Sequence, residues 1–376
     1  MTRFAAVILA AGLSSRLGGL KPLVRLGERT LLEHAADLFR HAGAQTIIAV
    51  AGHHAPKTLA EARRLGIRAV VNESYADGMF TSLRTGVRAL PQDLDAFFVL
   101  PVDIPLVRPL TLRLLLRRSA TAPAAVLHPV FDGQRGHPPL IALRHAAEIL
   151  AWDGPGGLAG ALQALEQSRG AAEVAVADQC IHFDVDTPAD LAEVRRRCQR
   201  RGVPTPGEAV ALLALHNAGE RGLAHGRGVA NAALALARAL NARGAGLDLE
   251  VVESAALLHD IAKGQPKHEA AGAALLDGLG YELVARIVET HRDIPPESAP
   301  KLTERAVVYF ADKLVQGSTR VDVPTRFQDK LDRFQGDAEA TAAIRRRRHN
   351  ALDMQRRIEE AAGAPLERLL AAGGPA

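Results

Sequence analysis

Two cysteines, Cys180 and Cys198, are all that the 376 residues contain. That is too few for a disulfide framework or a thiolate metal cluster, and it suits a reducing cytoplasm. Aromatic residues are scarce, at 4%, so platforms for stacking nucleic-acid bases have little to be built from. No apolar run approaches the roughly 20 residues of a membrane span. The run after Arg3 is about eight residues long, shorter than a secretory core usually is, and charge follows at once. Excess charge of one sign is lacking too. The net charge is +4, carried largely by arginine clusters, which fits mild affinity for anions and not a surface that coats nucleic acid. What remains is a chain rich in aliphatic and small residues, long enough for two domains with a core each.

The stretch with the strongest chemical signal lies near the N-terminus. Phe4 to Leu9 is a short apolar run that reads as a buried first strand. It continues through Ala10 and Ala11 into a loop with Gly12, Ser14, Ser15, Arg16, Gly18, Gly19 and Lys21. Glycine lets the backbone approach a bulky anion, and the exposed N–H groups form an anion-binding concavity. Arg16 and Lys21 add fixed positive charge. The order is neither a Walker A loop nor a dinucleotide G-x-G-x-x-G. A glycine-rich strand-to-helix turn with a solvated arginine and lysine is the plainer alternative.

From Phe4 to about Arg200, apolar runs alternate with amphipathic stretches. Residues 46–50, 68–71, 96–100 and 124–127 read as further strands; residues 31–42, 56–65, 81–90 and 109–118 read as helices. Such alternation predicts an α/β domain with a mostly parallel sheet covered on both faces. The arginines at 195–197, 200 and 201 suit a last helical turn, and Gly202, Pro204, Pro206 and Gly207 then read as a linker. Beyond it strand signals nearly vanish, and residues 209–215, 229–243, 250–261, 269–279, 281–290, 303–314 and 337–362 show helical periodicity. The expected organisation is therefore residues 1–201, a linker at 202–207, and an all-α domain over 208–376 whose core spans about 220–315.

Two carboxylates complete the first domain's candidates. Asp103 follows the apolar strand ending at Leu100, where an open parallel sheet binds its ligands. One or two carboxylates with substrate phosphates commonly hold magnesium; a simple turn aspartate is the alternative. Asp186 stands in Asp184-Val185-Asp186-Thr187-Pro188-Ala189-Asp190-Leu191, where Thr187 and Pro188 also read as the start of a helix.

The order L-A-A-G-x-S-x-R-x-G-x-x-K over residues 9–21 resembles the loop of nucleotidyltransferases of the sugar-nucleotide type. It is most similar to those acting on the molybdenum cofactor. D-x-D-T-P-x-D-L resembles the segment that gives the second magnesium ligand in GT-A-like members. Asn72, Gly78-Met79-x-x-Ser82-Leu83-Arg84 and Gly133-x-Arg135-Gly136-His137-Pro138 match further segments in order. Residues 3–200 thus look like a molybdenum cofactor cytidylyltransferase domain, Rossmann-like and of GT-A type. Ala11-Gly12 in place of Gly-Gly resembles the cytidylyl branch. The family's G-D-x-G-x-R segment is matched here only by Trp152-Asp153-Gly154-Pro155-Gly156-Gly157-Leu158, which lacks the arginine.

The resemblance implies that an acceptor phosphate attacks the α-phosphorus of a nucleoside triphosphate, CTP by preference, and that pyrophosphate leaves. Arg16 and Lys21 would neutralise the phosphates, with Mg²⁺ on Asp103 and Asp186. Leu9, Ala10, Ala11, Gly12, Ser14, Gly18, Asn72, Ser82 and His137 would bind nucleotide or acceptor, although His137 reads equally as a backbone-bonded loop histidine. Molybdopterin cofactor is the implied acceptor and a molybdoenzyme the implied recipient; another phosphorylated acceptor is the alternative.

In the helical half, His259-Asp260 sits in an apolar run where burial is costly unless a metal or partners satisfy both. With His225 and Asp312 the spacing resembles HD-domain phosphohydrolases over about residues 220–315, and the resemblance makes these four residues metal ligands. The ion would be divalent: Mn²⁺, Fe²⁺, Mg²⁺ or Zn²⁺. His268 and His291 fall where two-metal members carry extra histidines, and read equally as surface or capped histidines. Lys263, one turn beyond His259, could face a substrate phosphate. Arg345–Arg348 reads as a solvated helix face. The expectation is a bifunctional transferase and phosphohydrolase; a nucleotide or RNA sensor is the alternative for the helical domain.

Overall fold

The computed structural model describes residues 2–12, 16–294 and 301–371. The chain divides into two compact units, residues 1–200 and 201–376.

The strands of the first unit are β1 (Phe4–Ala10), β2 (Arg25–Leu26), β3 (Arg29–Thr30), β4 (Thr46–Ala51), β5 (Arg68–Val71), β6 (Ala96–Pro101), β7 (Val126–Phe131), β8 (Gln134–Arg135), β9 (Leu140–Ala142) and β10 (Ala171–Ala175). Its helices are α1 (Leu31–His41), α2 (Ala55–Arg64), α3 (Met79–Arg88), α4 (Pro109–Thr121), α5 (Ala146–Ala151), α6 (Gly157–Arg169) and α7 (Pro188–Gln199). The main sheet runs β10-β7-β9-β6-β1-β4-β5. β1 pairs in parallel with both β4 and β6, so that Val7 faces Ile48 on one side and Val99 on the other. β9 is antiparallel to β6 and β7. The sheet is therefore mostly parallel, with one reversed strand inserted.

Both faces of the sheet are covered. Val7, Val50, Leu83, Val87, Phe97 and Val99 form one core, into which α3 settles closely: a Cβ on Gly86 would lie 2.4 Å from Val7 Cγ1. On the other face Phe98 packs against Phe4 and Phe39, with ring centroids 5.4 and 5.6 Å away. Burying each such side chain is worth about 1.5–3 kcal/mol. β1 is consequently buried along its whole length, which fixes where its C-terminal loop emerges.

Sequence reading places the fifth strand at 124–127, whereas it runs from Val126 to Phe131. Pro129 lies inside it and masks the pattern, because proline normally ends a strand. β8, β9 and β10 are absent from that reading: two are very short, and Ala171–Ala175 is alanine-rich with little β-forming character.

The second unit contains α8 (Pro206–Leu215), α9 (Gly219–Asn241), α10 (Leu249–Leu258), α11 (His268–Gly278), α12 (Glu282–Val288), α13 (Glu304–Lys313), α14 (Val323–Arg333), α15 (Ala338–Ala362) and α16 (Leu366–Ala371), with a small hairpin of β11 (Val315–Gln316) and β12 (Thr319–Arg320). No helix among the described residues is long and apolar enough to cross a membrane. Pro206 and Gly207, expected in a linker, form the first turn of α8. Thr205 and Glu208 close a capping box there, and proline is favoured just inside a helix start.

Two further differences concern the candidate ligands. α9 begins ten residues before the expected Val229, because its buried face, His225 included, overrides the poor helix propensity of Gly222, Gly226 and Gly228. α10 ends at Leu258, not at residue 261. His259 is its C-cap, and Asp260 lies in the turn beyond, so the two are not successive positions of one helix.

Candidate active site and metal centre

In the first unit β1 is the switch point, with β4 on one side and β6 on the other. The loops leaving the carboxyl ends of β1 and β6 open a cleft of about 290 Å³, the place where open α/β sheets bind ligands. Leu9, Ala10, Ala11, Gly12, Arg16 and Lys21 line it from the β1 side. Asp103 and Asp186 face them, and Ser82 at α3 also reaches the cleft. Ala11 is held against Gly52, where an added Cβ would lie 2.7 Å from the Ala11 methyl carbon and 2.9 Å from its carbonyl oxygen.

Lys21 is the centre of this arrangement. Its Nζ donates to Asp103 Oδ2 at 2.7 Å and to Asp186 Oδ1 at 2.5 Å. Arg16 Nη1 stands 3.5 Å from Asp186 Oδ2. Burial disfavours the Lys21 ammonium, but hydrogen bonds and charge from Asp103 and Asp186 outweigh it and raise its pKa above the ordinary lysine value. The Lys21 hydrogen bond, aided by its charge, in turn holds the Asp186 carboxyl below the usual aspartate range. The segments carrying the two acids are tied together by Val185 N–H donating to the Asp103 carbonyl at 2.9 Å. Thr187 caps α7, and Asp190 Oδ2 accepts from the backbone of Asp186 and Thr187. The helix start is thus the device that aims Asp186. Two carboxylates converging on one cation form a donor set that also suits a divalent metal.

Several expected residues sit elsewhere. Asn72 does not line the cleft. Its amide donates to Thr81 Oγ1 and Ser82 Oγ and its oxygen accepts from Ser74 N–H, so it shapes the loop that presents Ser82. His137 also stands outside the lining; its backbone N–H bonds Ile181 O, and burial lowers its imidazole pKa against the pull of the Asp103 charge. Gly18 turns the loop at φ +72° without reaching the cleft. Ser14 lies outside the described residues. Tyr75 and Met79 line the cleft without having been singled out as ligand-binding; Met79 belongs to the matched Gly78–Arg84 segment, and Tyr75 carries no sequence signal of its own.

The helical unit gathers its polar residues around Asp260. His225 comes from α9, His259 and Asp260 from the end of α10, His268 from the start of α11, His291 from beyond α12, and Asp312 from α13. α9 and α10 approach closely beside the cluster: a Cβ at Gly226 would lie 2.8 Å from Leu257 O. Asp260 Oδ2 faces His225 Nε2 at 3.7 Å and His259 Nε2 at 3.5 Å. Its Oδ1 faces His268 Nε2 at 3.3 Å and His291 Nε2 at 3.7 Å. Asp312 Oδ1 lies 3.4 Å from His225 Nε2 and 3.6 Å from His259 Nε2. The structure thus brings all six together; His291 is buried, while His268 stays partly exposed.

Hydrogen bonding shows what the cluster suits. The Nδ1 atoms of His225, His259 and His291 donate to the carbonyls of Gly317, Ala256 and Val288. A neutral imidazole so bound presents an Nε2 lone pair. Those lone pairs point at carboxylate oxygens, and the buried His259 Nε2 has no hydrogen-bond partner. Facing lone pairs repel unless a cation stands between them. Metal–ligand distances of about 2.0–2.2 Å place neighbouring ligand atoms roughly 3–3.6 Å apart, close to the observed spacing. The residues fit a divalent metal, with Asp260 offering one oxygen to each of two positions.

Charge agrees with that reading. Burial opposes the Asp260 carboxylate, yet the Lys263 ammonium against its Oδ2 helps to hold its pKa well below the ordinary value. Burial likewise opposes the Asp312 carboxylate, and the Lys313 charge beside it holds its pKa well below the ordinary value. Lys263 Nζ lies 2.5 Å from Asp260 Oδ2 and is otherwise exposed.

A parallel-sheet cleft holding two acids and a lysine, and a separate helical cluster of histidines and aspartates, define a nucleotidyltransferase joined to an HD domain. Known proteins agree. Residues 6–174 match the family described as the MobA-like NTP transferase domain, and residues 222–316 match the HD domain. The phosphoenolpyruvate guanylyltransferase of Rubrobacter xylanophilus is 33% identical over 187 residues, covering 49% of this chain and 87% of that protein. A probable molybdenum cofactor guanylyltransferase of Bacillus mycoides is 26% identical over 145 residues, covering 39% and 70%. A solved nucleotidyl transferase from Methanothermobacter is 24% identical, covers 53% of this chain and 99% of its own, and superposes with a TM-score of 0.46. The chain belongs to the MobA-like NTP transferases, carries an HD domain, and is an enzyme.

Proposed function

We propose that the chain is a bifunctional cytoplasmic enzyme. Its first unit moves CMP from CTP to a phosphorylated acceptor, molybdopterin cofactor, ahead of delivery to a recipient molybdoenzyme; its helical unit is a metal-dependent phosphohydrolase. The observation that carries the first half is Lys21 Nζ between Asp103 and Asp186 in the cleft. An acceptor phosphate oxygen forms a bond to the α-phosphorus, the α–β bridging P–O bond breaks, and pyrophosphate leaves with the electron pair. Preorganised charge does most of this work. Lys21 and Arg16 neutralise the triphosphate, while Ala11, Gly12 and Ser82 line its seat. Asp103 and Asp186 would hold Mg²⁺, which supplies further charge neutralisation.

The preference for CTP rests on Ala11. Ala11-Gly12 stands where a Gly-Gly pair would mark the guanylyl branch, and Ala11 lines the cleft. The similarity to a phosphoenolpyruvate guanylyltransferase favours a second reading, GTP with a small phosphorylated acid as acceptor. Pyrophosphate release across the four ribonucleoside triphosphates, with and without molybdopterin, decides between them. Release that requires CTP and molybdopterin supports the first reading; release with GTP and phosphoenolpyruvate supports the second.

For the helical unit, the orphaned His259 Nε2 carries the reading. His225, His259, Asp260 and Asp312 would hold one divalent ion, and Asp260, His268 and His291 a second. The metal would lower the pKa of bound water and neutralise phosphate oxygens. Lys263 at the exposed rim would receive the phosphate. Retention of metal without hydrolysis of any phosphoester would favour a sensor.

A further inference from the structure

The residues lining the cleft of the first unit are held by two separate sets of contacts. Lys21 with Asp103 and Asp186 makes the charged set. The other set brings Ala11, Tyr75 and Met79 to the same cleft and carries no charge. Gly52 lies between Ala11 and Tyr75: a Cβ there would come within 2.6 Å of Tyr75 Cβ and 2.7 Å of the Ala11 methyl carbon. Its missing side chain lets the two cleft residues stand side by side. His53, whose N–H donates to Ala11 O at 3.1 Å, places its ring 5.9 Å from that of Tyr75. Met79 opens α3 and is 60% exposed, the most exposed large apolar side chain among the described residues. The loop between Tyr75 and Met79 is pinned from within the fold. Asn72 Oδ1 accepts from Ser74 N–H at 3.1 Å, and the Thr81 hydroxyl donates between Ser74 O and Gly78 O, 2.9 and 2.8 Å away. Gly78 turns the chain at φ +109°, a conformation that favours glycine.

An exposed methionine and a half-buried tyrosine in a cleft that also holds Lys21 and Arg16 suit a ligand with one flat apolar end and one polyanionic end. We propose that Tyr75 and Met79 seat the nucleobase of the triphosphate by its face, while Lys21 and Arg16 hold the phosphates. This rests on the nucleotidyl-transfer reading of the same cleft, but not on the choice of CTP. Every base has a π-face whatever groups its edge carries, so an aromatic ring against that face adds affinity without choosing among bases. Methionine brings a polarisable sulfur on a flexible stem, which adapts to the outline of a ring. Because Asn72 and Thr81 pin the loop before the ligand arrives, little ordering entropy is lost when the base lands. Tyr75 and Met79 thus supply affinity for any nucleoside triphosphate, and the choice of base is left to groups at its edge.

The test is calorimetric titration of the full chain, in magnesium, with α,β-methylene CTP, α,β-methylene GTP and inorganic tripolyphosphate. Tyr75→Ala should weaken both nucleotide analogues about tenfold, a difference of about 1.4 kcal/mol, and leave tripolyphosphate unchanged. Tyr75→Phe should bind like the wild type, since it keeps the ring. Met79→Ala, at an exposed position where the core is not disturbed, should weaken both analogues about threefold. Lys21→Ala should weaken all three ligands, which marks the phosphate end. Unchanged affinity for the analogues in Tyr75→Ala and Met79→Ala overturns the proposal. So does an equal loss for tripolyphosphate, or a loss confined to one of the two bases. A Lys21→Ala chain that binds all three ligands as the wild type does refutes the triphosphate role of Lys21 instead, while the Tyr75 and Met79 comparisons still decide this proposal.

Discussion

Lys21 Nζ lies 2.7 Å from Asp103 Oδ2, although the loop of one and the strand end of the other are 82 positions apart in the chain. Substituting either residue with alanine should reduce nucleotidyl transfer by about 10²–10³-fold or more, because each aims fixed charge at the reacting phosphates. Pyrophosphate release and circular dichroism on one sample check this. The spectrum should stay native while turnover collapses; near-normal turnover would remove both residues from the machinery.

Equal concentrations of CTP and GTP in one reaction should give mostly cytidylyl product. Ala11→Gly should narrow the gap, since it restores the Gly-Gly pair at a position lining the cleft. Product ratios by mass spectrometry are the measurement. A tenfold win for GTP, about 1.4 kcal/mol in the barrier, would reverse the assignment of the base.

The pair between Lys21 and Asp186 has a pH signature. The folded-state pKa of Asp186 is lowered, chiefly by the Lys21 hydrogen bond, so the folded protein binds that proton more weakly than the unfolded chain. The resulting stability is fully present above the ordinary aspartate value of 3.8. It is lost as pH falls through the lower folded value. Asp186→Asn should therefore lower Tm at neutral pH, and the difference from wild type should shrink between about pH 5 and about pH 3. A difference that stays constant across that range would show that the pair contributes nothing.

Much of this was legible in the sequence for physical reasons. The buried strands β1, β4 and β6 are apolar runs with clear ends, and Asp103 and Lys21 stand where such ends release the chain. The helical candidates stood out because histidine and aspartate are costly in apolar runs. The loop-shaping hydrogen bonds of Asn72 could not be read in advance, because a polar residue in a matched segment looks the same whether it binds a ligand or bonds its own loop. The end of α10 was hidden because Ile261 and Ala262 continue the apolar pattern past the point where the backbone turns. α14 escaped notice because its burial rests on Val323 and Phe327 alone. No local pattern announces that His268 and His291 meet Asp260, since that depends on how α11 and the end of α12 pack.

The most direct test of two chemistries on one chain is the metal content of full-length Asp260→Ala. Asp260 offers an oxygen to each pair of histidines, so its loss should empty the helical cluster and abolish phosphoester hydrolysis, leaving pyrophosphate release by the first unit largely intact. Tightly bound metal should fall from about one or two equivalents to near zero. A variant that keeps its full complement of metal would contradict the ligand set, and with it the second activity.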